Sequence, residues 1–251
     1  AVAWCALVCG CGKQAQTRTA AAVPRVTPTI VRELPHDSTA FTQGLVYRHG
    51  RLYESTGAPE GRVSSIRILD TADGAHVKAF EVPKVFAEGI CLRDRELVML
   101  TWRSGIAMRY SLATFKPRGS FNYAGEGWGL TTDGDHYVMS NGSDTLYVRD
   151  PSFRVARRLA VSFQGKPLKQ LNELEFASGM IYANVWFSAY LFEIDPRSGT
   201  VSRVIDCSEL VQSAAKADSG RVFNGVAWNA DRGTFYVTGK DWPVLFEISL
   251  P

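Results

Sequence analysis

The chain has 251 residues, 45% hydrophobic and 21% charged, which suits one substantial core and excludes an intrinsically disordered protein. Lys and Arg number 28 against 25 Asp and Glu, scattered rather than gathered into runs, so the electrostatic footprint of a nucleic-acid binder is missing. No apolar stretch reaches the roughly 20 residues of a membrane span; the longest, Ala1 to Gly12, is interrupted by cysteine.

Ala1 to Cys11 reads as the tail of an apolar targeting segment, and Leu7-Val8-Cys9-Gly10-Cys11 resembles a lipoprotein processing site with Cys11 as the lipidated residue. Conventional signal cleavage after Ala20-Ala21-Ala22 is the second reading, and a start-site artefact the third. Gly12 to Thr27, rich in Gln, Thr, Ala and Pro, has the composition of a tether. The expected division is therefore a leader and tether over residues 1–26 and a folded domain over 27–251.

From residue 29 the chain reads as strands and turns, as its 22 Gly, 11 Pro and abundant aromatics suggest. Thr29-Ile30-Val31-Arg32-Glu33-Leu34 alternates and stands alone. A repeat then begins. Phe41-Thr42-Gln43-Gly44-Leu45, Phe86-Ala87-Glu88-Gly89-Ile90, Gly127-Trp128-Gly129-Leu130, Asn172-Glu173-Leu174-Glu175-Phe176 and Phe223-Asn224-Gly225-Val226-Ala227 share a polar or aromatic residue, then usually Gly, then an aliphatic. Anchored on Gly44, Gly89, Gly129, Leu174 and Gly225, the spacings are 45, 40, 45 and 51 residues.

Each anchor is followed by a turn and a second apolar run, for example His136-Tyr137-Val138-Met139-Ser140 after Asp133-Gly134-Asp135. A third run alternates with period two, as in Ile66-Arg67-Ile68 and Phe246-Glu247-Ile248, and a fourth fits in every unit but the last, which ends at Pro251. The segment Thr29 to Leu34 supplies the missing strand. This predicts an all-β, five-bladed β-propeller whose ring is closed by an N-terminal strand completing the last blade, a solution that leaves only short sheet edges. A two-sheet sandwich has no use for a fivefold anchor.

The five cysteines form neither a CxxC pair nor a Cys/His cluster, so no structural zinc is expected. Cys91 sits in an apolar run as a small hydrophobe, and a Cys91–Cys207 disulfide stays open.

In a propeller the first strand of each blade lines the channel and pairs antiparallel with the second. The start of one therefore lies beside the end of the other, on one face of the disc. Strand starts bring Phe41, Gln43, Phe86, Glu88, Trp128, Asn172 and Asn224 to that mouth; strand ends bring Trp102, Asn141, Trp186 and Lys240. Structural demands recur in every blade, so positions that change from Gln43 to Glu88 to Trp128 point to function. The plainer readings are a Glu88–Lys240 salt bridge in a packed channel and tryptophans packed between blades, the role expected of Trp228 and Trp242. Asn141-Gly142-Ser143 matches a glycosylation acceptor but is read as structural.

These motifs, with Leu171-Asn172-Glu173-Leu174-Glu175, Ala183-Asn184-Val185-Trp186 and the run from Phe223 through Thr238-Gly239-Lys240, resemble those of the plant and bacterial glutaminyl-peptide cyclotransferases, or glutaminyl cyclases. That family consists of five-bladed propellers unrelated to the zinc-dependent animal enzymes. The likeness covers nearly all of the chain after residue 30. It implies a transferase of the acyltransferase class that converts the N-terminal glutamine of peptides or proteins to pyroglutamate and releases ammonia. By position, Glu88 and Lys240 match its essential acid and lysine, and Gln43, Asn172, Trp128, Trp186, Trp102, Phe41 and Phe86 the rest of its pocket. Plant members can hold a metal ion in the channel.

The reaction requires an α-amine, pKa ~7.7 to 8.0, to lose a proton that the departing nitrogen regains, the task assigned to Glu88 as base and then acid. Lys240 and Asn172 are available as donors to the oxyanion, Gln43 can hold the substrate amide, and the aromatics favour the compact conformer that closes the ring. Cyclisation is intramolecular, so no cofactor and no catalytic metal is expected. His36, His49, His76 and His136 fall outside the pocket.

Two other readings remain. Glu88, Asn141, Asn172 and Asn224 would serve a calcium-dependent, lactonase-like hydrolase, which chelation would inactivate. A noncatalytic binding propeller would tolerate replacement of Glu88 and Lys240. A Ser-His-Asp hydrolase is disfavoured because no Gly-x-Ser-x-Gly occurs. The leader suggests an exported bacterial protein, in the periplasm or the envelope, anchored if at all by Cys11 and otherwise acting as a monomer.

Overall fold

Five antiparallel meanders are arranged as blades in a computed structural model that describes residues 22–214 and 222–251. The first blade runs through Thr42–Arg48, Arg51–Thr56, Ser64–Asp70 and His76–Val82, and the second through Ala87–Arg93, Glu96–Thr101, Ile106–Ser111 and Pro117–Asn122. The third comprises Leu130–Thr132, Tyr137–Met139, Thr145–Arg149 and Val155–Ala160. Leu171–Ala177, Met180–Val185, Tyr190–Ile194 and Val201–Asp206 make the fourth; Phe223–Asn229, Thr234–Gly239 and Val244–Ser249 begin the fifth. Thr29–Pro35 completes that last blade, antiparallel to Val244–Ser249, so the ring closes as the repeat predicts.

The hydrophobic core is distributed along the seams between blades. One buried cluster joins Leu45, Leu52 and Leu69 of blade one to Leu34, Ala227, Tyr236 and Leu245 of blade five, and each other seam has its own. Cys91 lies in the seam of blades two and three and Cys207 in that of blades four and five; both are buried free thiols, which settles the open disulfide question against a bridge.

The recurring glycines have a steric cause. A Cβ at Gly44 would stand 2.6 Å from the amide nitrogen of Ile90, and one at Gly89 2.5 Å from that of Leu130, so neighbouring inner strands meet backbone to backbone around the channel. The register corrects the fourth anchor by one residue. Leu174 opposes Ala183 as Ile90 opposes Met99 and Val226 opposes Val237, so Glu173, not Leu174, stands where the other blades have glycine.

The tether assignment is corrected at its end. Arg25–Val26 pairs parallel with Val204 and Ile205 as a fifth strand of blade four, and Arg25 forms an ion pair with Asp206 at 2.7 Å. Val23 and Val26 pack on the cores beside it, so these apolar side chains recruit a stretch whose composition reads as linker. The leader itself, with Cys11 and Ala20-Ala21-Ala22, lies outside the described residues apart from Ala22. Additional to the repeat among the described residues are a 3-10 turn, Pro59–Gly61, a short hairpin, Ser162–Phe163 with Lys166–Pro167, and the helix Ser208–Ala214, which occupies the longest inter-anchor interval. No described helix is long and apolar enough to cross a membrane.

Candidate active site

The inner strands open with a distortion that serves the site. In blades one, two, four and five the first two strands slip register between Thr42 and Gly44, Ala87 and Ile90, Leu171 and Leu174, and Phe223 and Val226. Gln43, Glu88, Asn172 and Asn224 each lie within such a bulge, a device that re-aims a side chain at the rim of a sheet. The residue ending each second strand docks beside that start. Trp102 N–H donates to the Phe86 carbonyl at 3.0 Å, Trp186 to Gln170 at 3.0 Å, and Lys240 to Val222 at 2.8 Å.

The result is a cavity of about 370 Å³ lined by Phe41, Gln43, Phe86, Glu88, Trp102, Trp128, Asn172, Trp186 and Lys240, together with Pro59. All nine residues singled out from sequence as site residues are thus brought to one pocket, drawn from every blade. Asn141 and Asn224 are not in its lining. Asn141 Oδ1 caps Ser143 from its backbone N–H and hydroxyl, and Asn224 Nδ2 donates to the Thr42 carbonyl at 3.0 Å. Of the four oxygen donors that a calcium-dependent hydrolase would use, only Glu88 and Asn172 line this pocket, and the Asn141 oxygen is already occupied by Ser143. Among the described residues no cluster of three or more His, Cys, Asp and Glu is placed to hold a metal. Trp242 is fully buried against Phe223 and Phe246, as expected of a packing residue, and no histidine lines the pocket.

Glu88 is 5% exposed and accepts a hydrogen bond from Gln43 Nε2 at 3.0 Å. Burial drives its pKa well above the ordinary carboxylate range; the Lys240 charge opposes this and the Glu126 charge adds to it. Lys240 is 7% exposed and forms no ion pair within 4.0 Å among the described residues, so the packed-channel salt bridge is not what forms. Its ammonium sits 4.7 Å from the centre of the Phe41 ring. Burial lowers the Lys240 pKa, with Glu88 and Asp241 pulling the other way. Two amides are left with capacity to spare. Gln43 Oε1 is buried without a partner, and the Asn172 carboxamide forms no hydrogen bond among the described residues.

The walls are aromatic. Phe41 meets Phe86 edge-on at 6.1 Å, Phe86 tilts on Trp102 at 5.5 Å, and Trp128 meets Trp186 edge-on at 5.6 Å. Glu126, which the sequence reading passed over, ties two of these rings together. Its Oε2 accepts from Trp102 Nε1 at 2.8 Å and Trp128 Nε1 at 3.0 Å, while Oε1 accepts from Arg103 Nε at 3.0 Å. Burial works to raise the Glu126 pKa, but these hydrogen bonds outweigh it and hold the carboxylate below its usual range. The signal was present as an acid two residues before Trp128, in the connector that the repeat leaves out.

Behind the wall that carries Phe41 and Lys240 lies a second buried network. His36 Nε2 meets Glu54 Oε1 at 3.0 Å, its Nδ1 meets the Trp242 carbonyl at 2.8 Å, and Thr42 donates to the same Glu54 oxygen at 2.6 Å. Both ring nitrogens thus face acceptors, the arrangement of an imidazolium. Farther along the channel Glu173 accepts from the backbone N–H groups of Leu45 at 3.2 Å and Val226 at 2.9 Å, tying blades one, four and five together. Chemically, the pocket offers a carboxyl whose pKa burial raises, a lysine, two amides with unused hydrogen-bonding capacity, and aromatic walls that enclose them.

Known proteins share this architecture and sequence. The chain matches the family model of glutamine cyclotransferase over residues 2–250. It is 36% identical over 228 residues to a glutaminyl-peptide cyclotransferase of Arabidopsis thaliana, covering 88% of this chain and 70% of the relative. It also resembles the crystal structure of Myxococcus xanthus glutaminyl cyclase with a TM-score of 0.85 and 38% identity, over 91% of this chain and 98% of that one.

Proposed function

The chain belongs to the glutamine cyclotransferase family, and we propose that its pocket closes the N-terminal glutamine of a peptide into pyroglutamate, expelling ammonia, with Glu88 moving the proton. The observation that carries the residue roles is the convergence of a deeply buried carboxyl, its Gln43 partner and a lysine without an ion pair in one aromatic pocket.

The α-amine of the substrate attacks the carbon of its own side-chain amide, forming the lactam C–N bond while the carbonyl oxygen takes up negative charge. Ionised Glu88 accepts the proton that the attacking nitrogen sheds. The carboxyl then returns it to the amide nitrogen as the old C–N bond breaks, and ammonia leaves with both protons it had and one from Glu88. A carboxyl pushed upward by burial lies nearer the pKa of the amine and serves both steps better than an ordinary glutamate.

Lys240 and the Asn172 carboxamide are the donors for the oxyanion, and Gln43 Oε1 is an acceptor for a substrate N–H. The five aromatic rings hold the folded glutamine side chain near the attack geometry, where positioning replaces an encounter in solution. Membership of the acyltransferase class follows from this chemistry, since an acyl group passes from one nitrogen to another.

The test is ammonia release from Gln-Ala by the purified protein and its Glu88→Gln variant. Turnover by the parent and a loss of at least a hundredfold in the variant, with an unchanged thermal transition, is expected. Near-parental activity in Glu88→Gln sinks the role given to that residue.

A further inference from the structure

We propose that Phe187, with the outer face of Trp186, forms a subsite for the side chain that follows the substrate's N-terminal glutamine, and that it selects an aromatic or large apolar residue there. This rests on the cyclase reading, because it assigns the next residue of the same substrate.

Phe187 is the most exposed large hydrophobic side chain among the described residues, at 68%, and its backbone is left-handed with φ of +60°. Val185 to Ser188 form a tight turn in which the Ser188 N–H donates to the Val185 carbonyl at 2.9 Å. That places Phe187 at the third position, where a positive φ ordinarily calls for glycine or asparagine. A bulky residue there is strained and needs something to hold it.

Two other phenylalanines share this backbone conformation and show what usually does. Phe115 stacks on Phe80 at 4.2 Å, and Phe153 is buried among Phe121, Tyr123 and Tyr137. Phe187 lacks such a nest. Its ring packs on Trp186, with centroids 4.8 Å apart, and remains mostly open to solvent.

Trp186 in turn lines the pocket and meets Trp128 edge-on at 5.6 Å. Trp128, Trp186 and Phe187 therefore make one continuous aromatic surface from inside the pocket to its rim. On this reading, a glutamine held against Trp128 and Trp186 directs the residue that follows it along that aromatic surface toward Phe187. An exposed aromatic ring held on a tight turn pays little rotamer entropy on contact, which suits recognition of another apolar side chain.

The opposite rim has a different character. A groove sharing Phe86 and Trp102 with the pocket carries Arg62, Lys84 and Arg103, and would favour an acidic residue instead. Arg62 and Arg103 are paired with Asp241 and Glu126, which weakens that alternative.

The experiment compares kcat/KM for Gln-Phe, Gln-Ala and Gln-Glu in the parent protein, in Phe187→Asn, whose side chain suits a left-handed turn, and in Phe187→Tyr. The parent is expected to prefer Gln-Phe, Phe187→Asn to lower the Gln-Phe to Gln-Ala ratio roughly three- to tenfold, and Phe187→Tyr to retain it. An unchanged ratio in Phe187→Asn, or an equal fall for both peptides, overturns the subsite. So does a parental preference for Gln-Glu, which would assign the next residue to the Arg62, Lys84 and Arg103 groove. Absence of turnover with all three peptides in the parent protein sinks the cyclase reading itself, and the subsite with it.

Discussion

Replacing Lys240 with methionine keeps an unbranched apolar stem against Phe41 and removes only the ammonium. Two consequences follow from its position. If Lys240 donates to the oxyanion, loss of that donor in a water-poor pocket costs about 2.7 to 4 kcal/mol, or roughly 10² to 10³ in kcat. The same ammonium also favours the ionised form of Glu88, so without it burial and the Glu126 charge push the Glu88 pKa still higher. Because Glu88 is needed ionised to accept a proton, the rate rises with pH through that pKa, and the acid limb of kcat/KM should move to higher pH in Lys240→Met. A buried ammonium without a close carboxylate is itself costly, so the thermal transition should stay level or rise. The assay is ammonia release from Gln-Ala between pH 5 and 9, with melting followed by circular dichroism. A kcat loss under tenfold, or an acid limb that stays in place or moves down, would refute the reasoning; a lower melting temperature with normal kinetics would make Lys240 a packing residue.

Glu126→Gln tests the opposite sign: an amide oxygen still accepts from Trp102 and Trp128, but the charge that raises the Glu88 pKa is gone, so the acid limb should shift to lower pH. Glu126→Ala also frees both indoles and should cost kcat/KM about 1 to 2 kcal/mol, mostly through KM. At Glu173, alanine leaves the amides of Leu45 and Val226 buried without an acceptor, for a loss of about 2 to 6 kcal/mol in urea denaturation. Glutamine keeps an acceptor for one of these two amides but turns its NH2 toward the other, because Leu45 and Val226 donate to different Glu173 oxygens, so its loss should fall between none and that of alanine. His36 is pulled down by burial but more strongly raised by Glu54 and by its hydrogen bonds, so its stabilising contribution is whole below the ordinary value of 6.5 and fades as pH rises through the higher folded value. Denaturation midpoints between pH 6 and 9 should record that decline, and His36→Gln, which leaves Glu54 buried without its cation, should cost about 3 to 5 kcal/mol.

The repeat was readable because the seams impose the same demand five times. Inner strands that meet backbone to backbone need glycine, and seams packed from both sides need an aliphatic next to it, so Gly44-Leu45, Gly89-Ile90, Gly129-Leu130 and Gly225-Val226 recur. The site was readable as the exception to that demand, since Gln43, Glu88, Trp128 and Asn172 occupy equivalent places at the strand starts and differ. What escaped is non-local. Glu173 looks like a lapse in the pattern until Leu45 and Val226, 128 and 53 residues away in the chain, deliver their amides to it. Glu126 sits in a connector whose purpose appears only when Trp102 and Trp128 reach it from two blades. Arg25 and Val26 are hidden in linker-like composition, because their parallel pairing to Val204 and Ile205 depends on a sheet edge built from the far half of the sequence.

The same non-locality makes the candidate chemistry depend on ring closure. Glu88 comes from blade two, its partner Gln43 from blade one, and Lys240 from blade five, so the distance between base and cation is set across the seam where the chain ends meet. That seam is held by the strand Thr29–Pro35, by the His36 imidazole between Glu54 and the Trp242 carbonyl, and by the Asp241 N–H on the Ala40 carbonyl. Weakening any of these should separate Lys240 from Glu88 before it unfolds the other four seams, whose cores are formed by neighbouring blades alone. His36→Gln is therefore expected to lose cyclase activity at a lower urea concentration than it loses its β-sheet signal, whereas the parent protein should lose both together; coincident loss in the variant would mean that the closure seam and the rest of the ring open as one unit.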